Sequence, residues 1–272
     1  MNDLVGREWI KFTKSWFVHN PPRRRPGELL HPAKFPETLV AEFISFFTHA
    51  GEWVLDPFLG TGSALVAAAR CGRHGVGIEL QSKYAAVAKA RAAEAVEAYG
   101  QALCELVIEG DSRNLLQLLA ERGVRQVNYC VTSPPYWNQL HRRSLRQRER
   151  AVGGLDTQYS EDEADLGNIV AYERFLAAQK EIFDLVYEVT APGGYLTVIT
   201  NNVFAQGRLY PLAFDTLRTL ADRWVPKDER IWLQDDKKLL PLGVGSAWVG
   251  NRHHQYCLIF RKERDRPAPT RR

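Results

Sequence analysis

WVLDPFLGTGSALVAAARC, residues 53–71, decides the fold. WVLD is a short apolar run of strand type that ends on an acid. PFLGTG supplies a proline and two glycines, the residues of a tight turn. SALVAAARC continues with small apolar residues that suit a helix packed closely on a sheet. Strand, glycine turn and helix in that order form the opening unit of an α/β sheet.

Toward the C-terminus the same unit recurs. GVGIEL is a second strand, followed by an Ala-rich helix from about Lys83 to Tyr99. CELVIE, the amphipathic NLLQLLAE and NYCVT come next. A helix is expected from about Ile169 to Thr190, with Pro192-Gly193-Gly194 as its stop and a tight turn. YLTVIT, ERIWLQ and QYCLIF complete seven strands, with LAFDTLRTLAD a helix between the first two of these. Helical crossovers imply a mostly parallel sheet covered on both faces and wound right-handed. Toward the N-terminus, PETLVAEFISFFTHA reads as an amphipathic helix, and NPPRRRPGELLHPAKFP before it as extended or irregular. The chain shows no repeat and no internal break.

With 45% hydrophobic and 25% charged residues over 272 positions, the chain has material for a core, which excludes global disorder. No apolar run approaches the roughly 18–20 residues that cross a bilayer. The opening MNDLVGREWIKFTKSWF lacks the apolar centre of a leader peptide. Cys71, Cys104, Cys130 and Cys257 form no CxxC pair, so neither a disulfide framework nor a zinc site is expected. His253-His254 lacks the partners of a metal site, and no metal is expected. A cytoplasmic protein without membrane contact fits these features. The net charge of +4 hides basic stretches at 1–27, 142–150 and 261–272 and an acidic one at 156–165. Such blocks are usually solvated surface.

DPFLGTG, residues 56–62, lies at the end of the first strand, and open α/β sheets bind ligands outside the carboxyl ends of their strands. Gly60 and Gly62 bring no Cβ, so the backbone there turns tightly and approaches a ligand closely. Asp56 is expected to face that crevice. A dinucleotide fingerprint needs Gly or Ala where this chain has Leu65, and no GxxxxGKS or GxxxxGKT phosphate loop occurs. The turn carries an acid and no Lys or Arg, which suits a cationic ligand better than a phosphate. Glu79 closes the second strand, placed to accept both hydroxyls of a ribose. Without a phosphate loop, this points to an adenosine that carries no pyrophosphate. Asp111, in EGDSRN, ends the third strand and is placed for an adenine amino group. Helix capping accounts for any one of these acids; acids at three successive strand ends favour the nucleoside.

VTSPPYW, residues 131–137, follows the fourth strand at the same sheet edge. Pro134 and Pro135 remove two amide donors and fix φ, which stiffens the turn. Ser133 Oγ, the Pro134 carbonyl and the Tyr136 ring suit a planar guest with an exocyclic amine. Acceptors take the amine hydrogens while the ring stacks, worth roughly 1–3 kcal/mol per base. Those hydrogen bonds draw the nitrogen lone pair out of conjugation and aim it at an electrophile. Methylation at carbon 5 of cytosine needs a cysteine nucleophile after a proline. No Pro-Cys dipeptide occurs, and Cys130 lies inside the strand before the turn.

Together, DPFLGTGS, GIEL and VTSPPYW resemble the S-adenosylmethionine-dependent amino-methyltransferases of DNA. The TSPPY form is typical of those that methylate the 4-amino group of cytosine; adenine-specific relatives more often carry Asp or Asn where this chain has Ser133. LHPAKFPETLV, residues 30–40, is similar to the cofactor-binding segment that precedes the glycine loop in this family, and APGGYLTVIT to its fifth-strand region. The resemblance runs from about Leu30 to Arg261. It implies the α/β class I methyltransferase fold, Rossmann-like and doubly wound, with a mostly parallel seven-stranded sheet and an antiparallel last strand. It implies S-adenosylmethionine as cofactor, with His31, Pro32, Phe35, Asp56, Phe58, Gly60, Gly62, Glu79, Asp111 and Ser112 at its pocket. Ser133, Pro134 and Tyr136 are then the catalytic residues, holding a base flipped out of duplex DNA.

On this reading residues 1–272 are a single catalytic domain. It comprises an N-terminal arm (1–29), a cofactor-binding half with the catalytic turn (30–137), a DNA-contacting loop (138–168), the second half of the sheet (169–261) and a basic tail (262–272). Double-stranded DNA is the expected partner, and such enzymes can be paired with a cognate restriction endonuclease. Arg23, Arg24, Arg142, Arg143, Arg146 and Arg148 are candidate phosphate contacts. The acidic DTQYSEDEAD is expected to fold back on the Arg run or stay mobile. Trp248, Asn251, His253 and His254 either reach bases or pack their loop. Adenine as target, structured RNA as substrate, and a DNA-binding remnant without catalysis stand as alternatives.

Overall fold

The computed structural model describes residues 2–20, 35–100, 103–137 and 165–263. Its elements in chain order are α1 (Gly6–Phe12), β1 (Trp16–Val18), α2 (Glu37–Phe47), β2 (Trp53–Asp56), α3 (Ser63–Arg70), β3 (His74–Glu79) and α4 (Ser82–Tyr99). These are followed by β4 (Glu105–Glu109), α5 (Leu115–Glu121), β5 (Val127–Thr132), α6 (Tyr172–Val189), β6 (Thr190–Thr200), β7 (Val203–Ala205) and β8 (Arg208–Tyr210). The last three are α7 (Leu212–Leu220), β9 (Val225–Leu233) and β10 (His254–Arg261).

The main sheet has the order β1-β9-β10-β6-β5-β2-β3-β4. β3, β2, β5 and β6 pair in parallel, with β4 beside β3, while β10 is antiparallel to both β6 and β9. From β2 the chain steps outward through β3 and β4, then returns to place β5 on the other side of β2. The strand order therefore reverses between β2 and β5, whose carboxyl ends lie side by side, with Leu55 opposite Cys130. That reversal is where a doubly wound sheet opens a crevice.

Alternating side chains send the core to both faces. Val54, Tyr129, Val131, Cys257 and Ile259 pack under α2, α3 and α4. Leu55, Cys130, Leu196, Leu258 and Phe260 pack under α5, α6 and the end of α7. A smaller cluster around Trp137, Leu166, Phe175 and Tyr210 sits beside the end of β5.

Two expectations are corrected. The sheet has eight strands, because β1 adds in parallel to β9 through Trp16, Phe17 and Val18. A three-residue edge strand with both outer residues exposed carries no alternation to read. Pro192-Gly193-Gly194 is no helix stop: α6 ends at Val189 and β6 runs through all three residues. The Gly193 amide donates to the Lys262 carbonyl (2.7 Å) and the Lys262 amide to the Gly194 carbonyl (2.9 Å), so these residues extend the pairing with the segment after β10. The short β7–β8 hairpin, turned at Gln206 and Gly207 with φ of 49° and 75°, was also not evident in the sequence.

A Cβ on Gly194 would stand 2.7 Å from the Asn128 carbonyl oxygen and 2.9 Å from that of Ala191, both backbone atoms. Gly194→Ala is therefore expected to lower unfolding stability by roughly 1–3 kcal/mol, read by urea denaturation; an unchanged midpoint would show that β6 shifts freely.

Candidate active site

The glycine turn is built by carboxylates at the strand ends. Asp56, the last residue of β2, is fully buried, and its Oδ1 accepts from the Phe58 amide (3.0 Å) and the Thr132 hydroxyl (2.6 Å). Glu79, the last residue of β3, accepts from the Gly60 amide at Oε2 (2.7 Å) and from the Gln81 amide at Oε1 (2.9 Å). The Leu59 amide adds a bond to the Ile78 carbonyl (3.0 Å). Gly60 and Gly62 take φ of 56° and 85°, the left-handed region that glycine enters without strain. The Ser112 hydroxyl donates to the Pro57 carbonyl, which joins the end of β4 to the same turn.

A cavity opens between these turns. Including its open mouth, it encloses about 630 Å³ of free space. Pro57, Phe58 and Gly60 line it from the glycine turn, Ile78, Glu79, Leu80 and Gln81 from β3 and its exit, and Asp111 and Ser112 from the exit of β4. Ser133 and Pro135 close it from the exit of β5. Asp165, Leu166 and Ile182 complete the wall. The cavity therefore brings together Phe58, Gly60, Glu79, Asp111, Ser112 and Ser133, expected from sequence to meet one bound molecule or its reaction partner.

Other expected residues lie elsewhere. Asp56 does not face the crevice: it stands behind the wall, where Thr132 and the Phe58 amide hold it. Gly62 contributes close packing, since a Cβ there would lie 3.1 Å from Ala88 on α4. Phe35 is buried in the core under α2 and does not line the cavity. Pro134 is buried and Tyr136 half-buried, with the Tyr136 hydroxyl donating to Gln255 Oε1 on β10 (2.6 Å). His31, Pro32, Arg23, Arg24, Arg142, Arg143, Arg146 and Arg148 lie outside the described residues. Trp248 is 92% exposed, whereas Asn251 packs its loop by bonding both the amide and the carbonyl of Leu240.

Asp165 was not singled out from the sequence. It ends the acidic segment expected to fold back on the Arg run, yet it is turned into the cavity and buried. Its Oδ1 accepts from the Gly167 amide (2.8 Å) and caps a single helical turn over Leu166–Asn168. The one local signal is the Asp-x-Gly spacing of such a cap, which is common in loops.

Burial dominates the electrostatics. It pushes the Asp56 carboxyl up to about 7, against the lowering pull of Thr132 and the Phe58 amide, and Asp56 Oδ2 is buried without a partner. Glu79 is likewise pushed up to about 7, by burial first and then by the charges of Asp56 and Asp165. Asp111 is paired with Arg113 at 2.6 Å. Among the described residues, no basic side chain lines the cavity. A site with this field favours a cation and repels phosphate.

Residues 7–90 match the DNA methylase family. That stretch holds the glycine turn and Glu79. Over 65 residues, 24% of its length, the chain is 38% identical to the Type II methyltransferase M.MthZI of Methanothermobacter thermautotrophicus. Over 58 residues, 21% of its length, the chain is 47% identical to the protein named "Putative methylase YubD" of Escherichia coli K12. The aligned stretches span 18% and 26% of those relatives' own lengths. An rRNA-methylase structure from Clostridium thermocellum covers 82% of this chain and 96% of its own, with a TM-score of 0.50 and 13% identity. That likeness is one of fold, and the expected class I methyltransferase architecture is the one found, with an additional edge strand. Among the described residues, no group of three or more His, Cys, Asp or Glu could hold a metal ion, and no helix is long and apolar enough to cross a membrane.

An acid whose pKa is raised on folding keeps a proton that the unfolded chain gives up near its ordinary value of 3.8. Its contribution to stability is present below that value and is lost as pH rises toward 7. Asp56→Asn removes this dependence. Urea titrations should show the variant gaining on wild type between pH 4 and pH 8 by more than about 1 kcal/mol; a pH-independent difference would mean that Asp56 ionises without cost.

Proposed function

We propose that this chain is an S-adenosylmethionine-dependent DNA methyltransferase that modifies the exocyclic 4-amino group of a cytosine flipped out of the duplex. The observation that carries this reading is that one cavity is lined both by the strand-end acids and by Ser133 and Pro135 of the double-proline turn. The similarity of residues 7–90 to DNA methylases supports DNA as the substrate.

The cavity suits the donor. Ile78, Leu80, Leu166 and Ile182 offer an apolar bed for a purine, Glu79 offers carboxylate lone pairs to a ribose, and the surrounding charge is negative. S-adenosylmethionine, when bound, supplies an electrophilic methyl group on a positively charged sulfur. The chain's own part is positioning. Ser133 Oγ and the Pro134 carbonyl accept the hydrogens of the target amine, which keeps its lone pair directed into the cavity. The prolines hold both acceptors rigid. Tyr136 stacks on the base, its ring anchored through the hydroxyl to Gln255. Thr132 ties this turn to Asp56, so the base-holding and donor-holding loops share a single buried hydrogen bond.

The test is nucleoside mass spectrometry after incubation with mixed-sequence duplex DNA and S-adenosylmethionine. 4-Methylcytosine is expected. 6-Methyladenine would replace the target base, and product with RNA alone would replace the polymer. Tyr136→Ala should leave donor binding within about twofold yet reduce turnover by at least two orders of magnitude, since stacking is worth roughly 1–3 kcal/mol and also orients the amine. Tyr136→Phe should retain most activity. Loss of donor binding in Tyr136→Ala would remove the residue from the base site.

A further inference from the structure

We propose that the lobe between β9 and β10, residues 234–253, docks on duplex DNA beside the cavity, and that the ring of Trp248 enters the base stack where the everted nucleotide leaves a gap. This rests on the DNA reading above and gives a role to a residue outside the matched segment.

The sheet sets where the lobe stands. β6 is parallel to β5, and β10 is antiparallel to β6 with Tyr256 opposite Thr200, so β10 begins at the edge where β5 ends in the double-proline turn. β9 finishes at that same edge, with Leu233 opposite His254. The feet of the lobe are joined by the Gln234 amide, which donates to the His253 carbonyl (2.7 Å). Gln255, just past one foot, accepts the Tyr136 hydroxyl (2.6 Å) and donates to Gln234 Oε1 (3.5 Å), which ties the lobe to the tyrosine of the double-proline turn. Within the lobe the chain folds back on itself. Asn251 brackets Leu240, and the Gly243 carbonyl accepts the amides of Ser246 (3.1 Å) and Ala247 (2.9 Å). Gly243 takes φ of 67°, and a Cβ on it would stand 2.1 Å from the Ala247 carbonyl oxygen.

This closed lobe holds its apolar side chains outward. Leu239, Val244 and Trp248 are 77%, 78% and 92% exposed, the three most exposed large apolar side chains among the described residues. An ordered loop that leaves such groups in water forgoes their burial unless a partner covers them. That partner must accept a flat ring with cations around it. Lys238 on the lobe is exposed, and so is Arg208 on the β7–β8 hairpin that follows β6. The Arg208 guanidinium lies 4.3 Å over the Tyr210 ring, which packs against Trp137 of the double-proline turn at 4.4 Å. Duplex DNA meets both demands. Its phosphates take the cations, and a base step opened by an everted nucleotide takes an apolar wedge.

A wedge matters only where a stack has to be held open, so the test compares paired with unpaired DNA. Wild type, Trp248→Ala and Trp248→Phe are given mixed-sequence DNA as duplex and as separated strands, with S-adenosylmethionine. Methyl-transfer rates are read together with affinities by fluorescence anisotropy, so the duplex to single-strand ratio is defined even if one form is no substrate. Trp248→Ala should lower that ratio by about tenfold or more, and Trp248→Phe, which keeps a flat ring, should recover most of it. Calorimetric affinity for S-adenosylmethionine should stay within about twofold in both variants, because the exposed side chain supports neither the fold nor the cavity. Equal losses on the two forms of DNA, or an unchanged ratio, overturn the assignment and leave the DNA reading intact. A wild-type dimer in sedimentation that Trp248→Ala dissociates also overturns it, by giving the lobe to a second copy of the chain. Wild-type protein that neither binds nor modifies DNA overturns the DNA reading and this assignment with it.

Discussion

The Thr132 hydroxyl donates to Asp56 Oδ1 across the gap between β5 and β2, and the arrangement of the site follows from that bond. Thr132 is the last residue of β5, immediately before the double-proline turn, and Asp56 is the last residue of β2, immediately before the glycine turn. The same oxygen accepts the Phe58 amide, so one buried carboxylate sets the exit direction of two loops. Both groups are fully buried, which shields the bond from competing water and makes either partner expensive to leave alone. The glycine turn and the double-proline turn, on different strands, are in this way locked into one geometry.

The second organising feature is a cluster of carboxylates removed from water. Glu79 and Asp165 meet the cavity, Asp56 lies just behind it, and no basic side chain is among the described lining residues. A protein stable with such a cluster must hold protons in the empty state or offset the charge with a ligand. Burial raises both Asp56 and Glu79 toward neutrality, which is the first of these routes. A cationic ligand is the second.

The match to the DNA methylase family covers residues 7–90, which hold the glycine turn and Glu79. The remainder contributes the double-proline turn, Asp165 and the antiparallel end of the sheet. The glycine turn and the double-proline turn thus lie in different parts of the chain with respect to that match. Loops beyond the strand ends can vary substrate while the sheet that carries them stays the same.

Local signals were enough for most of the sheet. Runs such as WVLD, GVGIEL and QYCLIF are apolar and short, and glycine or helix-forming residues bound them, so composition alone marks β2, β3 and β10. The placement of Gly60, Glu79, Asp111, Ser112 and Ser133 at one crevice was likewise legible, because parallel strands deliver all their carboxyl ends to one edge. Three features were not. β1 is an edge strand of three residues whose only partner, β9, lies more than two hundred positions away. Pro192-Gly193-Gly194 has the composition of a turn, and only pairing with the segment after β10 draws it into a strand. The direction of each carboxylate depends on which donors reach it. Thr132 turns Asp56 away from the cavity and the Gly167 amide fixes Asp165 within it, and such directions are decided by atoms brought together from across the fold.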